Sequence, residues 1–172
     1  IMIRILVAED FDLLREDLCD TLSQQQDMEV AGCASSGRDI EAMALSTPAD
    51  LILMDIEMET TTAGIRATEH ILEKRPKLKV IFLTAHETDN IILTSMGAGA
   101  VDYIVKGCPD EELLLHIRSA YNGHPMLDGK IQNLLLTAYS RLPSSERSLL
   151  FFTSTVYQTP GAARALVRLL LD

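Results

Sequence analysis

The chain has 172 residues, 47% of them hydrophobic, and a net charge of −10. That is enough for one domain of ordinary size plus a short extension, and without Trp the core must be aliphatic and Met-rich. The four Arg and two acids of residues 141–172 leave −12 on the 140 residues before them, which argues against that acidic body touching nucleic acid or an anionic membrane.

The first apolar run, Met2 to Ala8, reads as a strand and ends on Glu9-Asp10. No basic stretch precedes it, so it reads as a core strand rather than a signal peptide. A helix from about Asp12 to Gln25 carries Leu14, Leu18 and Leu22 at helical spacing. Met28 to Ala34 is a second strand. Ser36-Gly37 opens a helix with Ile40, Met43, Ala44 and Leu45, closed by Pro48. Leu51-Ile52-Leu53-Met54-Asp55 is a short continuous apolar run ending on a carboxylate, the pattern of a strand buried on both faces. The polar loop Thr60–Gly64 leads to a helix from about Ile65 to Arg75, stopped by Pro76.

Lys79 to Leu83 is the fourth strand and ends on Thr84; a helix from about Glu87 to Met96 follows. The fifth strand, Val101 to Val105, ends on Lys106. Pro109-Asp110-Glu111-Glu112 starts a helix to Tyr121, with Pro early and acids in the first turn. The alternation then stops. Lys130 to Arg141, a start at Pro143, and about Pro160 to Leu171 read as helices. No apolar stretch reaches the ~18 residues of a membrane-spanning helix, so no membrane is expected. Cys19, Cys33 and Cys108 have no metal-type spacing and read as reduced thiols of a cytoplasmic protein, Cys33 as buried filler in its apolar run.

Five βα units with short connections predict an α/β fold, a doubly wound five-stranded parallel sheet with helices on both faces, plus a C-terminal all-α extension. Ligands of such sheets sit outside the carboxyl ends of the strands. There Glu9, Asp10, Asp55, Thr84 and Lys106 converge. No Gly-rich phosphate loop is present, so any phosphate chemistry is built from side chains. A lone Asp after a strand is usually a turn or cap residue; four strands each ending on a fitting group carry the functional reading. Crowded carboxylates need a cation, and oxygen ligands with open positions suit magnesium (Mg²⁺). Asp55 is then a nucleophile toward a phosphoryl group, with Lys106 and Thr84 as donors to its oxygens.

These residues resemble the receiver domain of two-component response regulators. The acidic pair after the first strand, the Asp ending the third, the Thr ending the fourth and the Lys ending the fifth match, over residues 2–122. The resemblance implies strand order 2-1-3-4-5 and phosphorylation of Asp55 by a partner histidine kinase. It implies Mg²⁺ held by Asp10, Asp55, the backbone carbonyl of Glu57 and, through water, Glu9. It also implies that Thr84 and Tyr103 are switch residues, although Tyr103 also fits an ordinary half-buried aromatic. Residues 9–18 and 121–128 are similar to the opening and linker of NarL/LuxR-type regulators, and residues 142–150 faintly resemble their helix-turn-helix start.

The expected organisation is a receiver at 1–122, a linker at 123–129 and a helical extension at 130–172, a truncated or degenerate DNA-binding output domain. Residues 130–172 are too few for a complete one. DNA contact is expected only through that extension, and a homodimer on phosphorylation. The competing reading is a receiver-only phosphorelay or protein-interaction module without DNA binding. An Asp-nucleophile phosphohydrolase fits poorly, because those enzymes place the nucleophile after the first strand. In the metabolic sense the chain reads as no enzyme. Two departures from the family stand out. Met58 is followed by Glu59 rather than Pro, and Gly64 lies nine residues past Asp55 rather than eight, so the loop carries one extra residue. Gly107 follows Lys106 where many receivers have Pro, which makes a cis bond less favoured.

Overall fold

The computed structural model describes residues 1–126, 133, 134, 136, 137 and 140–145. Five strands alternate with five helices: β1 (Ile3–Ala8), α1 (Asp12–Ser23), β2 (Met28–Ala34), α2 (Gly37–Ser46), β3 (Leu51–Asp55), α3 (Ala63–Lys74), β4 (Lys79–Thr84), α4 (Asp89–Ala98), β5 (Asp102–Val105) and α5 (Asp110–Tyr121). All strand pairs are parallel, in the order β2-β1-β3-β4-β5. Every residue of β3 is buried, as its unbroken apolar run requires of a central parallel strand.

Two apolar layers sandwich the sheet. Leu18 and Leu22 of α1 and Leu113, Leu114 and Ile117 of α5 pack with Ile5, Val7, Leu53 and Ile81 on one face. The other face sets Leu6, Ile52, Met54 and Phe82 against α2, α3 and α4. The split follows the two-residue side-chain period of the strands.

Local chemistry fixes the helix ends. Ser36 Oγ accepts from Asp39 N at 3.1 Å to cap α2, and Thr88 Oγ1 accepts from Ile91 N at 3.2 Å to cap α4. The latter moves the start of α4 from Glu87 to Asp89. At the start of α3 the chain comes so close to β3 that a Cβ on Gly64 would lie 1.9 Å from the Asp55 carbonyl oxygen. Gly64 N donates to Ile56 O at 2.9 Å across this contact. Among the described residues no peptide bond is cis, and Gly107 takes a positive φ of 86°.

Of the two acids in the lengthened loop, Glu57 and Glu59, the second is engaged by backbone. Both Glu59 carboxylate oxygens accept from Gly37 N, at 2.9 and 2.8 Å. The charge thus sits on the N-terminus of α2, where unpaired N–H groups and the helix dipole favour an anion.

One expectation is corrected. Cys33 is exposed, not buried filler. The reason is topological: β2 is an edge strand, and only part of its apolar run is covered.

Beyond α5, residues 133, 134, 136, 137 and 140 are helical. Leu142 is buried and Leu134 half-buried against the layer of α2, α3 and α4. The last helix expected, at 160–171, lies outside the described residues, as does most of the expected 123–129 to 130–172 boundary. No helix among the described residues is long and apolar enough to cross a membrane.

Candidate functional site

The site follows from strand register. Ala8 pairs with Met54, so the next residues, Glu9 and Asp55, emerge side by side where the order of the sheet reverses between β1 and β3. Asp55 pairs with Leu83 and Thr84 with Val105, which brings Thr84 and then Lys106 to the same edge. Lys106 N donates to Thr84 O at 2.8 Å and Glu9 N to Ala34 O at 3.0 Å, so the backbone holds these ends together.

Glu9, Asp10 and Asp55 each offer a carboxylate oxygen, and these oxygens lie within 4.8 Å of one another. Glu9 and Asp55 are buried, and Asp10 is exposed. Lys106 Nζ lies 2.9 Å from Glu9 Oε2 and 2.9 Å from Asp55 Oδ1. Asp55 Oδ2, also buried, has no hydrogen-bond partner among the described residues. The Glu57 side chain is exposed and is not one of the three clustered carboxylates.

Electrostatics make this an uncomfortable pocket without a further cation. Burial, opposed by Lys106 and reinforced by the Glu9 charge, pushes the Asp55 carboxyl up to about 7. Burial disfavours the Lys106 ammonium, but Glu9 and Asp55 outweigh it and its pKa rises. Fully ionised, three carboxylates and one ammonium leave two negative charges, which a divalent cation balances. An unpartnered buried oxygen on Asp55 and an all-oxygen donor set fit Mg²⁺.

A pH prediction follows. The Asp55 carboxyl holds its proton to about 7 when folded but releases it near 3.8 when unfolded. The folded state therefore binds the extra proton between those values, and stability falls as pH rises through that window. Thermal unfolding of metal-free protein in EDTA should show this fall, and Asp55→Asn should flatten it. Parallel Tm profiles for the two proteins would contradict the assignment.

The two switch candidates are both tied to the β4–α4 loop. Thr84 Oγ1 donates to His86 O at 2.7 Å and accepts from His86 N at 3.2 Å. Tyr103 is buried, and its hydroxyl donates to Glu87 Oε1 at 2.6 Å. The structure thus brings Glu9, Asp10, Asp55 and Lys106 together, with Thr84 beside them and its hydroxyl engaged elsewhere.

Sequence reasoning missed Arg15 as part of this arrangement. Its guanidinium donates to the Glu9 carbonyl at 2.8 Å and to Asp12 Oδ1 at 2.7 Å. It braces α1 against the end of β1. The sequence signal is the i, i+3 spacing of Asp12 and Arg15. A second missed pair is buried Asp102 of β5 with His116 of α5, Oδ2 to Nδ1 at 2.5 Å.

Residues 5–118 match the response regulator receiver domain family. The chain belongs to that family. This receiver is 39% identical over 121 residues, 70% of its own length, to the uncharacterized transcriptional regulatory protein YxjL of Bacillus subtilis. It is 31% identical over 136 residues, 79% of its length, to the oxygen regulatory protein NreC of Staphylococcus haemolyticus. It spans 55% and 63% of those two relatives. A LuxR-family two-component response regulator from Aurantimonas superposes with a TM-score of 0.73 at 21% identity, over 82% of this chain and 100% of that one. The response regulator domain of Thermotoga maritima CheB gives 0.64 at 34% identity, over 71% and 98%. The chain is thus a response regulator receiver with a transcriptional regulatory protein among its relatives.

Proposed function

We propose that the chain is the receiver part of a transcriptional response regulator that accepts a phosphoryl group on Asp55 from a histidine kinase. The observation that carries this is Asp55 itself: a buried carboxylate with one oxygen on Lys106 at 2.9 Å and the other unpartnered, inside an acidic cluster. Such a group is a poor permanent ion and a good acceptor.

Asp55 Oδ2 attacks phosphorus in line, and the phosphohistidine nitrogen leaves with the bonding pair. Asp10 and Asp55, with Glu9 and the Glu57 carbonyl in support, would hold Mg²⁺. Bound there, it supplies charge compensation for the carboxylates and the phosphoryl oxygens. Lys106, freed from Asp55 Oδ1, donates to a phosphoryl oxygen. The Thr84 hydroxyl leaves His86 O for a second one. Releasing His86 shifts the β4–α4 loop, and Tyr103, already buried, loses its hold on Glu87. The face formed by α4, β5 and α5 then carries the signal to a dimer partner and to an output region. The names of the relatives favour DNA as the final target over a stand-alone interaction module.

The test is intact mass after incubation with acetyl phosphate, with and without Mg²⁺, beside size-exclusion elution. The expected result is a Mg²⁺-dependent gain of one phosphoryl group and earlier elution; no gain would overturn the proposal. Lys106→Ala should keep Mg²⁺ binding, read by calorimetry, and lose the elution shift. A normal shift in that variant would remove Lys106 from the switch.

A further inference from the structure

We propose that Cys19 and Cys33 form a redox modification site, a dithiol that closes to an intramolecular disulfide stapling α1 to β2. Their Sγ atoms lie 2.8 Å apart.

Strand register and helix facing bring the two sulfurs together. Cys33 pairs in register with Val7, whose side chain faces the layer of α1 and α5, while the next residue, Ala34, belongs to the opposite layer. Cys33 therefore points to the α1 side at the sheet edge. On α1, Cys19 follows Leu18 and packs against the same layer. Two facing elements of one apolar layer thus present one sulfur each. Cys33 is exposed and Cys19 half-buried, so one sulfur meets solvent and the other waits behind it.

The surroundings suit sulfur chemistry in that order. Cys33 lines an open cleft together with Arg15, one helical turn before Cys19, and Asp39. Burial first, and the contact with Cys33 second, push the Cys19 thiol up to about 12. Cys33, the more exposed of the two, is the sulfur that an oxidant meets first. Among the described residues the cluster of three or more His, Cys, Asp or Glu ligand atoms is Glu9, Asp10 and Asp55, and no cysteine belongs to it.

With a peroxide as oxidant the chemistry balances. The Cys33 sulfur attacks one peroxide oxygen and gives up its proton, the O–O bond breaks, and water leaves. The Cys33 sulfenic acid is then attacked by Cys19 sulfur, which gives up its proton; the S–S bond forms and a second water leaves. Two thiols lose two electrons, and the peroxide is reduced to two waters. A thiol reductant reverses the step.

The site adjoins the acidic pocket by two routes. Arg15 donates to the Glu9 carbonyl at 2.8 Å, and Ala34, next to Cys33, accepts from Glu9 N at 3.0 Å. It does not depend on the phosphoacceptor reading, and its test uses no phosphoryl donor.

The full chain is treated with hydrogen peroxide, denatured, alkylated with iodoacetamide and measured by intact and peptide mass. The expected result is loss of two hydrogens, alkylation of Cys108 alone, a Cys19–Cys33 cross-linked peptide, and return of three alkylatable thiols after dithiothreitol. The yield should not change on dilution, and Cys108→Ser should behave like the parent. The oxidised protein should melt about 5–10 °C higher, because the bridge restricts the unfolded chain. Three alkylated cysteines after oxidation, a cross-link involving Cys108, or dimers that vanish on dilution would overturn the proposal.

Discussion

Asp55→Asn will take up phosphoryl groups at least about a hundredfold more slowly than the parent chain, because an amide oxygen lacks the charge that makes the carboxylate a nucleophile. The substitution keeps shape and volume, and the Lys106–Glu9 pair at 2.9 Å remains to hold the edge of β5 against β1. The fold should therefore survive. In metal-free protein near neutral pH the variant should even melt higher, since it removes a carboxyl that burial has pushed up to about 7. Labelling by a small phosphoryl donor and circular dichroism read the two halves separately. Undiminished labelling would place the acceptor elsewhere.

The largest stability effect should come from Gly64→Ala. A Cβ there would lie 1.9 Å from the Asp55 carbonyl oxygen, 2.9 Å from its carbon and 3.0 Å from Ile56 Cα. All three are backbone atoms at the end of β3, so no side chain can swing aside. Either α3 moves away from the sheet or Asp55 is displaced. A loss of about 3 kcal/mol or more follows, seen as a Tm lower by roughly 10 °C. Gly32→Ala is the contrasting variant. Its Cβ would first meet Met43 Sδ, the far end of a flexible side chain, and the cost should be small. Equal losses in both would contradict this account. The close approach also explains why a glycine is required nine residues past Asp55: the extra loop residue is absorbed before α3, while Glu59 reaches across to Gly37 N.

The strands are legible because they are short, largely apolar runs, four of them ending on a polar group, and parallel pairing carries those ends to one edge. Asp55, Glu9 and Lys106 meet for that reason alone. Helix starts were less legible. The sequence pattern places the α3 start two residues late, because Ala63 and Gly64 read as loop although Gly64 is packed on β3. The pattern places the α4 start two residues early, because the Thr88 cap, and not the acid before it, decides where the helix begins.

Edge position was the second source of error. The run around Cys33 resembles a core strand, but covering depends on which strand lies at the edge of the sheet, and that is a property of the topology. The nearness of Cys19 to Cys33 needs both the register of β2 on β1 and the facing of α1. The hydroxyl partners of the switch candidates were illegible for a related reason. His86 and Glu87 reach Thr84 and Tyr103 only through the path of the β4–α4 loop, which no periodicity encodes.

The most direct test traps the modification where it forms. The chain is incubated with Mg²⁺ and acetyl phosphate, the acyl phosphate is reduced with borohydride, and peptides are sequenced by mass spectrometry. The account predicts homoserine at position 55, dependent on Mg²⁺ and absent without the phosphoryl donor. Homoserine at another acid, or none anywhere after demonstrated exposure to donor and Mg²⁺, would contradict it.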